Sequence, residues 1–343
     1  MIYYICRNRH SKTITRFLNH VPRQERPEIR LLTYEQLFRQ LSLRPSHIIF
    51  TDMDRLSQYE LEIAAATAEA VKAQAPDARI LNHPAHFLQR FEFLDRLSRE
   101  GNNPFRAARL ELALPELRFP VFLRRESDAG GPETMLLWDK EELHQAIKSL
   151  SDRGIPLRGR IAVEYCAVPD SDGMFRKYGA FRIGNAILPQ HIQFSEDWVV
   201  KGNSRRVSEQ NVEMEMDYIR TNPHQSELIR LSNLAKAEFG RIDYTMRDGQ
   251  IVVYEFNSNP TFPQADKDDL RQARRLLTRQ RIVDAFKALD TPIAHQERLY
   301  IERPRPRSHD LPGPGFLDEL RKLGNPTYRE RQAAKLWALF RKS

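Results

Sequence analysis

Cysteine is scarce in this chain: Cys6 and Cys166 are the only two in 343 residues. They lie far apart with no metal-like spacing, which excludes a disulfide framework and a zinc site of ordinary pattern. Long apolar runs are missing as well; none approaches the roughly 18 residues that a membrane span needs. The opening MIYYICRNRHSKTITRF sets an apolar hexamer before charge. That order is the reverse of a signal peptide and reads as a buried first strand. A reducing cytoplasm is the expected location. There is no GxxxxGK[ST] loop, no GxSxG elbow and no HExxH, and no local signature of a serine or cysteine nucleophile.

What is present is ordinary for a folded chain: 41% hydrophobic and 29% charged residues argue against global disorder. The length predicts two or three domain-sized units. The formal net charge is +8, which leaves nucleic acid open as a partner. Against it, the charge is spread out, and the dense stretches Arg271–Arg281 and Arg303–Arg307 carry few aromatics for base stacking. An anionic small substrate, an acidic small molecule or a peptide, accounts for the basic balance as well.

Residues 1–7, 46–51 and 78–81 read as short buried strands, with helical spacing over 33–43 and 59–73 between them. Strands alternating with helices imply a small parallel α/β unit, closed by Asn82-His83-Pro84. A helix is predicted over 86–100, a strand over 119–124, a helix over 139–151 and a strand over 160–167. A strand pair follows around Gly184, then a helical region from 208 to 239 broken near Asn222-Pro223. Two strands, 240–246 and 250–256, flank Arg247-Asp248-Gly249, a strong hairpin signal. A helix over 266–289 precedes the proline-rich 302–315, a linker or strap, and helix-like spacing resumes over 316–323 and 328–342. That tail is a packing appendage or an interface.

The most informative segment is FGRIDYTMRDGQIVVYEFNSNPTFP, residues 239–263. Strand side chains alternate faces, so Glu255 and Asn257 point the same way. A turn at Asp248-Gly249 can bring Asp243 to that side. Two carboxylates and an amide oxygen would make a hard-oxygen site suited to Mg²⁺. An exposed hairpin with a wet polar face remains the alternative.

GRIDY…DG…VYEFNSNP resembles the C-terminal metal-binding hairpin of the ATP-grasp superfamily. The resemblance continues upstream, in order, through Ile80–Arg90, Phe119–Arg124 and Ile161–Ala167, and covers about residues 80–265. It implies an α+β chain with an ATP-grasp fold, two α+β subdomains clasping ATP. A small α/β N-terminal domain (1–83) would precede a central subdomain (84–168) and a C-terminal subdomain with the Mg site (169–290). Residues 291–343 would form a linker and helical extension.

The same resemblance implies Mg²⁺ ligands at Asp243, Glu255 and Asn257, and phosphate contacts from Arg90 and Arg124. Adenine would meet Glu164, Tyr165 and Ala167 in the hinge strand. Lys177, Arg182 and His191 would lie near the γ-phosphate and acyl-phosphate. Lys201 could reach the phosphates, and Asp170 or Asp172 the ribose; a surface loop and a turn are their plain alternatives, and Asn203 is in the same position. The chain departs from the family in carrying Arg at 124 and 90 where Lys is usual, which keeps charge and adds bidentate capacity. Asp128–Thr134 is less glycine-rich than many phosphate-covering loops. The activity implied is a Mg-ATP-dependent carboxylate–amine (or –thiol) ligase. A kinase on the same fold is the first alternative, and a non-catalytic nucleic-acid- or protein-binding module the second.

Overall fold

The computed structural model describes residues 1–127, 130–200, 207–264 and 269–302. The predicted helices over 316–323 and 328–342 lie outside the described residues, and so do Lys201 and Asn203.

The first unit contains β1 (Ile2–Cys6), α1 (Lys12–Asn19), β2 (Ile29–Thr33), α2 (Tyr34–Leu37), β3 (Ser42–Leu43), β4 (His47–Phe50), α3 (Gln58–Gln74) and β5 (Ile80–Leu81). Its parallel sheet has the order β2-β1-β4-β5. The strand β2 is absent from the sequence reading, because Arg30 interrupts an edge strand too short for a clear period. The helix expected over 33–43 shrinks to four residues. Thr33 and Gln36 close a capping box around its start, and Leu43 leaves to pair with Leu299 of β13 (Leu299–Tyr300). The helix α3 carries the same device, Ser57 accepting from the Glu60 amide while Glu60 accepts from the Ser57 amide.

The middle of the chain holds α4 (Arg90–Arg99), β6 (Ala107–Arg109), β7 (Val121–Arg125), α5 (Lys140–Asp152) and β8 (Arg160–Glu164). Its antiparallel sheet is β6-β8-β7. The helix α4 starts at Arg90 rather than 86 because the Leu88 amide donates to the Ala235 carbonyl, which draws the chain out of helical register.

The third group is β9 (Phe175–Ile183), β10 (Ala186–Ser195), α6 (Glu209–Thr221), α7 (Gln225–Leu234), β11 (Phe239–Arg247), β12 (Gln250–Asn257) and α8 (Gln272–Leu289). Its antiparallel sheet runs β10-β9-β11-β12. One face packs on α6 and α7 around Tyr218, Ile219, Leu228 and Leu231, all buried. Thus α/β and α+β layers occur in the predicted order.

Two asparagines join these groups. Asn82, in the left-handed region at φ 57°, donates to the Phe50 and Phe239 carbonyls and accepts from the Glu238 and Phe239 amides. Asn103 pairs with Val253 of β12 as a strand residue would, accepting from its amide at 3.0 Å and donating to its carbonyl at 2.8 Å. Asn82 uses its amide for four bonds and Asn103 for two, and both are buried.

Candidate active site

The β11–β12 hairpin turns through Asp248 (φ 51°) and Gly249 (φ 75°), the paired left-handed conformations that match strand twist. From the turn the register runs Arg247–Gln250 to Tyr244–Val253, then slips by one residue. The slip decides the site. It sets Asp243 opposite Glu255 and Arg241 opposite Asn257, so these four side chains share a face. Without it Asp243 would oppose Tyr254. Gly240 permits the close approach that follows: a Cβ there would lie 2.5 Å from the Asn257 carbonyl oxygen and 2.4 Å from the Phe256 ring.

Four cations converge on the two carboxylates. Arg241 grips Asp243 with two bonds, Nε at 2.6 Å and Nη2 at 3.1 Å, and Lys177 Nζ lies 3.3 Å from the same group. Arg90 Nη2 donates to Glu255 Oε2 at 2.6 Å and Arg124 Nη2 at 3.1 Å. Asn257 donates to the other Glu255 oxygen at 3.3 Å. Burial favours a neutral Glu255, but the Arg90, Arg124 and Lys177 charges outweigh it and hold the carboxyl well below the usual range. Arg90 is fixed in turn by donating to the Arg125 and Glu126 carbonyls.

The row continues across the sheet. Asp243 lies opposite Gly179 of β9, and Gly179 opposite His191 of β10. The His191 ring lies over Gly179, where a Cβ would meet its Nε2 at 2.6 Å. His191 therefore stands two strands from Asp243 on the same face, with Gly179 of β9 between them, and Lys177 lies one pleat along β9 from Gly179.

Beside this polar row lies an apolar slot, a cavity of about 120 Å³. Phe122, Val163, Tyr165 and Trp198 line it, together with residues 164–167 and with Arg124, Lys177 and Glu255. Trp198 packs against Phe122 at 5.3 Å and edge-on to Tyr165 at 5.4 Å. Cys166 also lines the slot, and burial pushes its thiol up to about 12, which makes it a packing group rather than a nucleophile.

The arrangement brings together Arg90, Arg124, Lys177, Asp243, Glu255 and Asn257, and places Tyr165 and Ala167 along the slot. Other expected residues are elsewhere. Arg182 is on the opposite face of β9, buried, donating to the Gly184 carbonyl and Ser232 hydroxyl; the alternation of strand side chains turns it from the site. The Glu164 carboxylate is committed to the Arg106 and Arg118 amides and guanidinium groups, so only its backbone faces the slot. Asp172 is exposed and paired with Arg176, outside the slot lining. Arg241 was missed; its place two residues before Asp243 is the signal that would have put it on the same face.

A second group of ligand-type side chains, Glu69, His83 and His86, lies apart from this site. Its ligand atoms lie within 4.8 Å of one another, its imidazoles stack at 4.8 Å and 27°, and His83 stands 3.1 Å from Glu69.

No protein-family model matches the chain, and no curated protein does. Among solved structures it is similar to D-alanine–D-alanine ligase from Bacillus anthracis, at 12% identity and TM-score 0.46, over 83% of this chain and 99% of that one. It is also similar to the ATP-grasp ligase PsnB complexed with minimal precursor, at 13% identity and TM-score 0.45, over 84% and 99%. An L-amino acid ligase from Bacillus licheniformis aligns at 12% identity and TM-score 0.42, over 75% and 66%.

Proposed function

We propose that this chain is a Mg-ATP-dependent ligase, activating a carboxylate as an acyl-phosphate that an amine then attacks, with release of ADP and phosphate. The observation that carries this reading is the junction of the two halves of the site. An aromatic slot of about 120 Å³ includes Arg124, Lys177 and Glu255 in its lining, beside two carboxylates on one strand face. Arg90, Arg124, Lys177 and Arg241 gather around Asp243 and Glu255, a mixed-charge setting that suits a polyphosphate accompanied by a divalent ion.

The donor set fits Mg²⁺: Asp243 and Glu255 supply hard anionic oxygens and Asn257 an amide oxygen. When bound, Mg²⁺ supplies charge neutralisation to the phosphate oxygens. The chain's own groups do the rest. Phe122, Tyr165 and Trp198 exclude water from the base. Arg90 and Arg124 leave Glu255 for phosphate oxygens, an exchange of one anionic partner for another. Lys177 stands where charge develops during transfer, and His191 lies on the same face within the row. This is catalysis by positioning and electrostatic stabilisation.

Thermal unfolding with and without Mg-ATP tests the site, on wild type and Glu255→Gln. At a hundred times Kd the ligand adds about 2.7 kcal/mol, several degrees. A magnesium-dependent shift in wild type that Glu255→Gln lacks is expected. No shift in wild type refutes the reading. With carboxylates and amines supplied, phosphate must appear in solution; phosphate that stays on the product would mean a kinase.

A further inference from the structure

The parallel sheet of the first unit has a topological switch point. From β1 the chain moves outward to β2, then crosses back to place β4 on the other side of β1. In such sheets the crevice beyond the carboxyl ends of the strands at the switch receives the ligand. Here those ends are Arg7, after β1, and Asp52, after β4, and the Arg7 amide donates to Asp52 at 3.0 Å. Asp52 takes a left-handed conformation, φ 54°, which an aspartate adopts only when its surroundings hold it there. The Asp52 carboxylate also accepts from Asn259 at 2.9 Å, and His10 stands 3.2 Å away.

The crevice borders the proposed ATP site through two of its lining residues. Its cavity is lined by Asp52, Asp54 and Arg55 from the first unit, and by Arg90, Asn257 and Asn259 from the other side. Arg90 and Asn257 are the residues that contact Glu255.

The charges in the crevice differ in how far they are used. Arg7 is paired with Glu60 at 2.6 Å, and Arg90 with Glu255. Glu126 is held by two bonds from Arg109. Asp54 is the exception. Among the described residues the one cation within ion-pair distance of it is Arg55, whose Nε stands 3.7 Å away, beyond hydrogen-bond distance, and 3.6 Å from Asp52. No side chain among the described residues donates it a hydrogen bond.

We propose that this crevice is the acceptor subsite and that Asp54 binds the ammonium group of the amine substrate, a deepening that rests on the ligase reading. A cation completes what Asp54 lacks, where an anion would add to a carboxylate pair. Burial pushes the Asp54 carboxyl up to about 6, with Arg55 opposing and Asp52 reinforcing the rise, and a bound ammonium ion would reverse that penalty. The bound ammonium must lose a proton before its nitrogen can attack, and the Asp54 carboxylate would take it as the nitrogen bonds the acyl carbon and phosphate leaves.

The test is ligand-observed NMR titration of glycinamide, ethylenediamine and cadaverine, beside their hydroxyl counterparts, onto wild type and Asp54→Asn saturated with Mg-ADP. At least one ammonium probe is expected to bind wild type ten times or more tightly than Asp54→Asn, while the hydroxyl counterparts do not distinguish the two. The thermal shift with Mg-ATP is expected to be unchanged in Asp54→Asn, which shows that the variant is folded. Ammonium probes that bind both proteins alike, or no better than the hydroxyl compounds, overturn the proposal. So does a variant of normal unfolding temperature that has lost the Mg-ATP shift, because Asp54 would then serve the nucleotide. Failure of wild type to respond to Mg-ATP defeats the ligase reading and the acceptor assignment with it, whereas a normal Mg-ATP response without Asp54-dependent ammonium binding defeats the acceptor assignment alone.

Discussion

Gly179 and His191 form a pair in which one residue exists to make room for the other. The ring occupies the volume of the missing side chain, with Nε2 2.6 Å from where a Cβ would stand. Gly179→Ala should therefore destabilise by about 1–3 kcal/mol, the usual penalty for overpacking a fixed neighbour. His191→Ala added to it should recover most of that loss, and urea unfolding of the two singles and the double gives the coupling. Strict additivity would mean that the ring does not hold this place. Asp54 makes the opposite case, a residue that weakens the fold where it stands. Its folded pKa is raised to about 6 from 3.8, so the folded state takes up its proton at a higher pH than the unfolded chain. The penalty is complete above about pH 6 and gone below about pH 4. Asp54→Asn should accordingly stabilise by on the order of 1–3 kcal/mol at pH 7.5, with the gain fading towards pH 4. Equal unfolding midpoints at pH 7.5 would contradict the burial of that carboxyl. Stability given up at a binding group is a common trade.

At the scale of elements, the strong patterns were legible and the joints between them were not. Asp248-Gly249 announced the hairpin, and the period-two placement of Glu255 and Asn257 put both on one face. The register slip after Asp243 could not be read, because nothing in YTMR against IVVY specifies which residue is unpaired. Yet the slip alone sets Asp243 opposite Glu255. The same limit applies to His191: alternation along β9 already separates Lys177 from Arg182, but only register sets His191 of β10 opposite Gly179, on the Lys177 face. The first unit shows another form of it, since β2 owes its place to parallel pairing with β1 rather than to its own composition. Asn103 acts at this scale too, as one residue of strand laid against the edge of β12. Asn103→Ala would leave the Val253 amide and carbonyl buried without these partners, a loss of about 1–3 kcal/mol. Amide hydrogen exchange at Val253 should quicken while β9 and β10 stay protected. Uniform acceleration across the sheet would show that Asn103 supports global rather than local stability.

Over the whole molecule, Glu255 is where separate parts of the fold meet, since Arg90 begins α4, Arg124 lies on β7 and Glu255 on β12. A buried anion that joins three elements acts on cohesion as well as on ligand binding. Glu255→Gln removes a shared charge partner of two arginines that are largely buried, with side-chain exposures of 9% and 12%. Removing one member of such a cluster costs about 3 kcal/mol or more, because the remaining charges stay desolvated. The ligand-free variant should therefore unfold at lower urea than wild type at pH 7, besides losing its response to Mg-ATP. The pH dependence follows from the sign of the shift. The folded pKa is depressed, so the stabilisation is fully present above the ordinary value of 4.5 and is lost as pH falls through the lower folded value. Urea midpoints of the two proteins should thus differ most above pH 5 and converge as the pH drops towards 2. Curves that stay parallel to the acid limit would show that the Glu255 charge contributes nothing to the fold, and that the glutamine variant fails for reasons of shape. Convergence would instead mean that the ionised Glu255, set against Arg90 and Arg124, is itself part of what holds α4, β7 and β12 together.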